Sequence, residues 1–396
     1  MDSGVCPSTS HGAVEPMPSL KALRPSHLPR KCNRLLAIVG SCLLIWLLFY
    51  NFEPRRTAYS CRTFRSCIGI DHGHSYAHHA VPPARREAYE SNTTLPDGTV
   101  KFIREAGFRR PPEHLILVLN KDATSWSSDF RSTQRSAADL LELLHGAFST
   151  LETVSIAMMT SSVSEFNKMV EATSRYYLAR TEVYLLPKAD SEDQTIPYSS
   201  RHDPTVQYAR RAALAKLRNQ LMRLAPLPSN GVFWIDADVT EISPQLIQYI
   251  LWNSLKKPDA GIITAPCHQN QMDNYDKNAW RLSPQQHRGT VSEEDREGAY
   301  SALVENRDMV PEIIAGSEDM ESIKLDSVGG TLLYIRVELL RQGLVFPWWN
   351  VAGTTLGQDG WIGMETEGLC YLAKFLENGG CYVMGGSAFV RHTDWG

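Results

Sequence analysis

The chain has 396 residues and a formal net charge of -4, with 43% hydrophobic and 21% charged residues. That is ordinary globular composition with enough apolar mass for a sizeable core. The near-balanced charge excludes the basic footprint of a nucleic-acid binder, and no internal repeat is visible.

In chain order, residues 1–34 are rich in Ser, Pro and basic residues and read as a disordered tail. Residues 35–52 carry no charge over 18 positions, the short end of a bilayer span. Polar, Pro-containing flanks argue against a buried core helix. A cleaved signal peptide would start nearer the N-terminus and end in small residues, so the segment reads as a signal anchor. Lys21, Arg24, Arg30, Lys31 and Arg34 precede it, and Arg55, Arg56, Arg62 and Arg65 follow, which makes the positive-inside bias slight. Orientation follows instead from the bulk of the chain, which comes after the span: a cytosolic tail and a lumenal C-terminal domain. So short a span suits a thin membrane of the early secretory pathway.

Residues 53–110 are polar, contain Pro82-Pro83, and read as a stem. Asn92-Thr93-Thr94 is a glycosylation sequon there. His72, His74, His78 and His79 read as a solvated loop, with a metal trap as the alternative. Cys61, Cys67, Cys267, Cys370 and Cys381 fall on the lumenal side, where disulfides form; Cys61–Cys67 and Cys370–Cys381 are the sequence-local pairs.

Residues 111–396 form the folded domain. Short apolar runs at 115–119, 154–159, 183–186, 232–235 and 260–265 predict buried strands, and 328–337 and 382–390 supply further strand signals. Helical patterns cover 136–148, 163–179, 206–224 and 244–255. In the third of these, Leu214, Leu217, Leu221 and Leu224 make one apolar face. The alternation predicts an α/β fold: a Rossmann-like, mostly parallel sheet with helices on both faces. Residues 270–315 are polar and irregular and read as an acceptor-side insertion.

The most informative stretch runs from Gly231 to Val239. Four apolar residues make a strand, and Asp236 and Asp238 stand where it ends. Ligand sites in open α/β sheets lie at the carboxyl ends of strands. Two carboxylates one residue apart can both approach a hard divalent ion, which can bridge a nucleotide diphosphate. Arg201-His202-Asp203-Pro204 leads into the helix carrying Arg210, Arg211, Arg218 and Asn219. Its N-terminus and arginines can hold phosphate, or can form a solvated basic face. Asp326 precedes Gly329-Gly330, which either allow close backbone approach to a sugar phosphate or make a plain turn. Glu365 and Glu367 open an apolar helix and either cap it or orient an acceptor hydroxyl. His392, after the last strand, is a candidate third metal ligand.

These motifs together resemble the fungal mannan-polymerase subunits, the α-mannosyltransferases of glycosyltransferase family 62. The resemblance covers roughly 113–392. It rests on Arg201-His202-Asp203-Pro204, Arg210-Arg211, Arg218-Asn219, Trp234-Ile235-Asp236-Ala237-Asp238-Val239, Asp326-Ser327-Val328-Gly329-Gly330-Thr331, Glu365-Thr366-Glu367-Gly368 and His392. Ile235 stands where arginine is expected in many members, and residues 351–363 look like an extended loop. The resemblance implies a GT-A fold, GDP-mannose as donor and Mn2+ as metal. It also implies retention of configuration, extension of the α-1,6-mannan backbone of N-glycans, Golgi residence and hetero-oligomers with paralogues. On this reading Asp236, Asp238 and His392 hold the metal, and Asp236 also contacts the donor. His202, Asp203, Arg210, Arg211, Arg218, Asn219, Gly329 and Gly330 face the nucleotide, and Asp326, Glu365 and Glu367 lie near the transferred sugar.

Overall fold

Buried parallel strands show continuous apolar runs because both their faces are covered, and the core of this molecule is built that way. The structure, a computed structural model, describes residues 89–107, 111–127, 134–187, 204–270, 272–283, 306–351 and 363–393. The expected anchor at 35–52 and most of the expected stem lie outside these residues, as do His202, Asp203 and the expected Cys61–Cys67 pair. No helix among the described residues is long and apolar enough to cross a membrane.

The elements run β1 (Tyr89–Thr94), β2 (Val100–Glu105), β3 (His114–Leu119), α1 (Ala137–Ala147), β4 (Val154–Thr160), α2 (Val163–Thr173), β5 (Arg180–Leu185), α3 (Pro204–Leu224) and β6 (Gly231–Ile235). They continue with β7 (Val239–Ile242), α4 (Leu246–Lys256), β8 (Ala260–Thr264), β9 (Cys267–His268), β10 (Trp280–Leu282), β11 (Arg307–Met309) and α5 (Val310–Ile314). The last are β12 (Ser322–Leu325), β13 (Leu332–Arg336), α6 (Val337–Arg341), α7 (Thr366–Ala373), β14 (Gly380–Met384) and β15 (Val390–His392).

Ten strands form one sheet in the order β1-β2-β5-β4-β3-β6-β13-β8-β14-β12. Strands β5, β4, β3 and β6 are mutually parallel, and β8 pairs in parallel with β14. The other five pairings are antiparallel, so the sheet is mixed rather than mostly parallel. Two of these come from β1 and β2, in a stretch that read as stem: Val100–Glu105 pairs with β5 along its whole length. A third comes from β12, and the other two from β13, which is inserted between β6 and β8.

Alternate side chains face opposite layers. Ile116, Ile156, Phe233 and Ile235 pack with Leu140, Leu144, Met169 and Ile250 of α1, α2 and α4. Leu115, Met159, Val232 and Trp234 pack on the other face with Ala215, Leu221, Leu339 and Leu369 of α3, α6 and α7. Each such fully buried side chain contributes about 2 kcal/mol of transfer free energy, so two apolar layers fix the register of the central strands. Asp139 accepts hydrogen bonds from both the Ser136 N–H and its hydroxyl, which sets the start of α1. Cys370 of α7 is disulfide-bonded to Cys381 of β14, and Cys267 is a free, buried thiol.

Candidate functional site

Asp236, Ala237 and Asp238 form the turn between β6 and β7. The apolar strand ends there because β7 leaves the large sheet for a small one of order β7-β15-β9. Backbone bonds hold the turn: the Asp236 N–H donates to Thr331 O at 3.0 Å and the Val239 N–H to Asp236 O at 3.3 Å. The buried Arg135 donates from Nη2 to Val239 O at 2.7 Å.

His392 reaches this turn through strand register. In β15 it stands opposite Val239, the residue after Asp238. Its Nε2 lies 2.8 Å from Asp238 Oδ2, its ring stacks on Tyr275 at 4.2 Å, and the Thr393 N–H donates to Asp238 O at 3.1 Å. The strand signal over 382–390 is broken at Gly385-Gly386 into β14 and β15, which belong to different sheets. Gly386 has φ +65, a left-handed conformation suited to glycine. That break turns the chain back toward the two carboxylates.

Arg218 reaches the turn from the other side. The buried stripe of α3 is Ala215, Arg218 and Leu221, at spacings of three, with Leu217 only half-buried. The guanidinium therefore points inward. It lies 4.9 Å from the Trp234 ring and 5.3 Å from the Phe346 ring, donates from Nη2 to Asp236 Oδ1 at 3.3 Å, and pairs through Nε with Glu365 Oε1 at 2.8 Å. Two aromatic faces and two carboxylates around one guanidinium make a rigid wall.

Electrostatics set the turn apart. Partial desolvation raises the Asp236 carboxyl above the ordinary carboxylate range, Arg218 pulls it down, and the neighbouring Asp238 charge pushes it up again, while the side chain stays 40% exposed. Burial works against a proton on His392, but the hydrogen bond to Asp238 and the charges of Asp238 and Asp236 outweigh it and raise its pKa. Opposed carboxylates and an imidazole sharing a proton are a set of oxygen and nitrogen donors that a divalent cation relieves by replacing that proton. The donor chemistry fits a metal, although no group of three or more such side chains among the described residues is already spaced to hold one.

The remaining candidates separate into two groups. Glu367 accepts from Arg211 Nη1 at 3.0 Å and lies 3.1 Å from Arg307 Nη2; Arg211 also donates to Met364 O at 2.8 Å. Glu367 is thus a clasp between α3, β11 and α7, already fully engaged. Glu365 sits at φ 58 and ψ -127, outside the regions an L-residue favours, and its N–H donates to Pro347 O at 2.7 Å. Asn219 exchanges two hydrogen bonds with the backbone of Phe346, at 2.7 and 2.8 Å, and so positions a loop. Arg210 is half-buried on α3.

Asp326 is not brought to the carboxylates. Its neighbour Leu325 pairs with Cys381 at the start of β14, whereas Asp236 follows the end of β6. Asp326 Oδ2 accepts the Leu282 N–H at 2.8 Å and lines a separate cavity of about 350 Å³ with Lys324, Lys374 and the Cys370–Cys381 bridge. The segment from Ser327 to Thr331 crosses from one end of the sheet to the other, which sequence proximity to Gly329-Gly330 conceals.

Asp276 was missed. Its Oδ2 accepts the Gly330 N–H at 2.6 Å and the Thr331 N–H and hydroxyl at 3.3 Å each. A Cβ on Gly329 would meet Asp276 Oδ2 at 2.2 Å, and one on Gly330 would meet Arg218 Nη2 at 2.9 Å. The glycines therefore admit Asp276 and Arg218 to the backbone. Asp276 lies in the polar run at 270–315, where no periodicity marks a single carboxylate.

The Anp1 family model matches residues 115–350. Mannan polymerase complex subunit mnn9 of Schizosaccharomyces pombe is 30% identical over 190 residues, 46% of this chain and 52% of that protein. Mannan polymerase complex subunit MNN9 of Candida albicans is 27% identical over 230 residues, 54% of this chain and 59% of that protein. The chain thus spans little more than half the length of these curated relatives. Among solved structures, the mannosyltransferase PcManGT from Pyrobaculum calidifontis, in complex with GDP-Man and Mn2+, is similar at a TM-score of 0.38 and 9% identity, over 72% of this chain and 58% of that one. S. aureus TarS 1-349 is similar at 0.36 and 14%, over 71% and 60%. Likenesses this distant assign neither a ligand nor a residue.

Proposed function

The chain belongs to the Anp1 family, and from that premise we propose that it is an α-mannosyltransferase subunit of a mannan polymerase complex. In this reading it has a GT-A fold, is anchored once in the Golgi membrane with its C-terminal domain lumenal, and transfers mannose from GDP-mannose to the α-1,6 backbone of N-glycan mannan with retention. The observation that carries the reading is the convergence of Asp236, Asp238, His392 and Arg218 at the carboxyl end of β6. The relatives named as mannan polymerase complex subunits support the choice of sugar and of partners.

Asp236, Asp238 and His392 would hold a divalent cation such as Mn2+, which neutralises charge developing on the leaving diphosphate. Arg218 adds a fixed positive charge beside Asp236 and, locked between Trp234 and Phe346, needs no reorganisation. The described residues place no carboxylate as a free nucleophile: Glu365 and Glu367 are held by arginines, and Asp326 faces β10. Attack by the acceptor hydroxyl on the face that the diphosphate leaves suits that arrangement.

Asp238→Asn in the purified complex should abolish mannose transfer while leaving complex assembly intact; undiminished transfer would sink the catalytic reading. The engagement of Asp238 by His392 and of Asp236 by Arg218 also suits a second reading, a non-catalytic subunit that stabilises an active paralogue, and that reading gains from the same result. The donor is tested by thermal protection. GDP with Mn2+ should raise the melting temperature more than UDP with Mn2+, and the reverse ranking removes the claim for GDP-mannose.

A further inference from the structure

Asn219 and Phe346 anchor a short loop that carries two solvent-facing tryptophans. Trp348 and Trp349 are 47% and 40% exposed. Their ring centroids lie 5.4 Å apart at an interplanar angle of 86°. The mount is rigid: Asn219 holds the Phe346 backbone by two hydrogen bonds, and Pro347 O accepts the Glu365 N–H. The Lys216 ammonium stands 5.0 Å over the Trp348 ring. Indoles are large apolar groups that chains ordinarily bury, so a fixed, exposed pair marks a surface that awaits a ligand.

The pair is tied to the candidate site through Phe346. Trp348 is two residues from Phe346, at most about 7 Å of backbone. The Phe346 ring in turn lies 5.3 Å from the guanidinium that reaches Asp236. Lys216 is two residues before Arg218 on α3, about 200° round the helix, so it stands on the outer side of α3 and the guanidinium on the inner side.

Size decides the kind of occupant. At these exposures each indole offers about 100 Å², and Val345, 40% exposed, adds little. A stable protein interface needs about 800 Å² per partner. A hexopyranose matches the patch: it has one face lined by C–H groups and a rim of hydroxyls. With the rings perpendicular and Lys216 over Trp348, the pair makes a corner rather than a flat shelf: one indole face, that of Trp349, meets the C–H face, while Lys216 and the indole N–H groups serve the rim.

We infer that Trp348 and Trp349 form an acceptor platform that holds a mannose-rich glycan next to the nucleotide-sugar site. The inference rests on the transferase reading above. Its test is calorimetric binding of α-1,6-linked mannotetraose to the full chain in detergent, without nucleotide. Trp348→Ala/Trp349→Ala should weaken binding by about tenfold or more, and Trp348→Phe/Trp349→Phe should stay within about threefold of the parent. Melting temperature and protection by GDP with Mn2+ should be the same in all three. Parent-like binding by the alanine variant, or no binding by the parent chain, overturns the platform. Intact glycan binding with loss of a co-purifying paralogue also overturns it and makes the patch a protein contact. Two failures are distinguishable. A parent chain that transfers mannose while the alanine variant keeps its acceptor KM sinks the platform alone. A parent chain that binds the tetraose through the tryptophans but transfers nothing sinks the transferase reading alone.

Discussion

Arg218 Nε lies 2.8 Å from Glu365 Oε1, and both side chains are almost fully buried. The pair joins α3 to the start of α7, where Glu365 adopts its positive φ. Breaking a buried pair leaves a charge without compensation, which costs more than the pair contributes. Arg218→Met keeps most of the length but removes the charge, leaving Glu365 buried without its partner. The expected outcome is a loss of about 3 kcal/mol in chemical unfolding, with mannose transfer reduced more than tenfold. Wild-type stability in the variant would count against the account of the strained turn.

Gly329 and Asp276 give a second test. An added methyl at 329 would meet the Asp276 carboxylate at 2.2 Å, so Gly329→Ala should destabilise the fold. About 2 kcal/mol is expected for overpacking of this kind. Combining it with Asp276→Ala removes the obstacle, so the two losses should be markedly non-additive in a double-mutant cycle.

His114 predicts a dependence on pH. It is buried, edge-on to Phe233 at 5.9 Å, and burial holds its pKa down at about 4. The unfolded chain takes a proton at the ordinary value of 6.5. Below that pH the unfolded state binds more protons, so stability is lost as pH falls from about 6.5 to about 4 and then levels off. The loss from this group totals about 3 kcal/mol. In His114→Leu the slope of unfolding free energy against pH across that window should flatten by this amount.

The Cys370–Cys381 bridge closes an 11-residue separation. On the chain-entropy model, opening it frees the unfolded state by about 3 kcal/mol. Unfolding with and without dithiothreitol should differ by that amount in the parent and not at all in Cys370→Ala/Cys381→Ala.

Legibility in the sequence followed burial. Strand β6 and the two carboxylates after it were readable because a strand covered on both faces has no polar interruption, so its end is sharp. The pairing of Cys370 with Cys381 was readable from their nearness in sequence. Strand β1 was not: Tyr89-Glu90-Ser91-Asn92-Thr93-Thr94 is polar because it lies at a sheet edge, and so it resembled stem. The apolar face of α3 was read through its leucines, whereas the inward stripe runs through Arg218, which a hydrophobic pattern cannot reveal. Asp276 is legible only in three dimensions, since its partners Gly330 and Thr331 lie over fifty positions away.

The edge strand β1 bears on how another chain can dock. The outermost strand of a sheet offers a free row of backbone donors and acceptors to any chain that lies alongside. In β1 the sequon residue Asn92 is exposed, opposite Phe102 of β2. A glycan attached at Asn92 would project from the border of the sheet as a steric fence, closing that border to β-augmentation and leaving β12, at the opposite edge, as the border of the ten-stranded sheet that stays open.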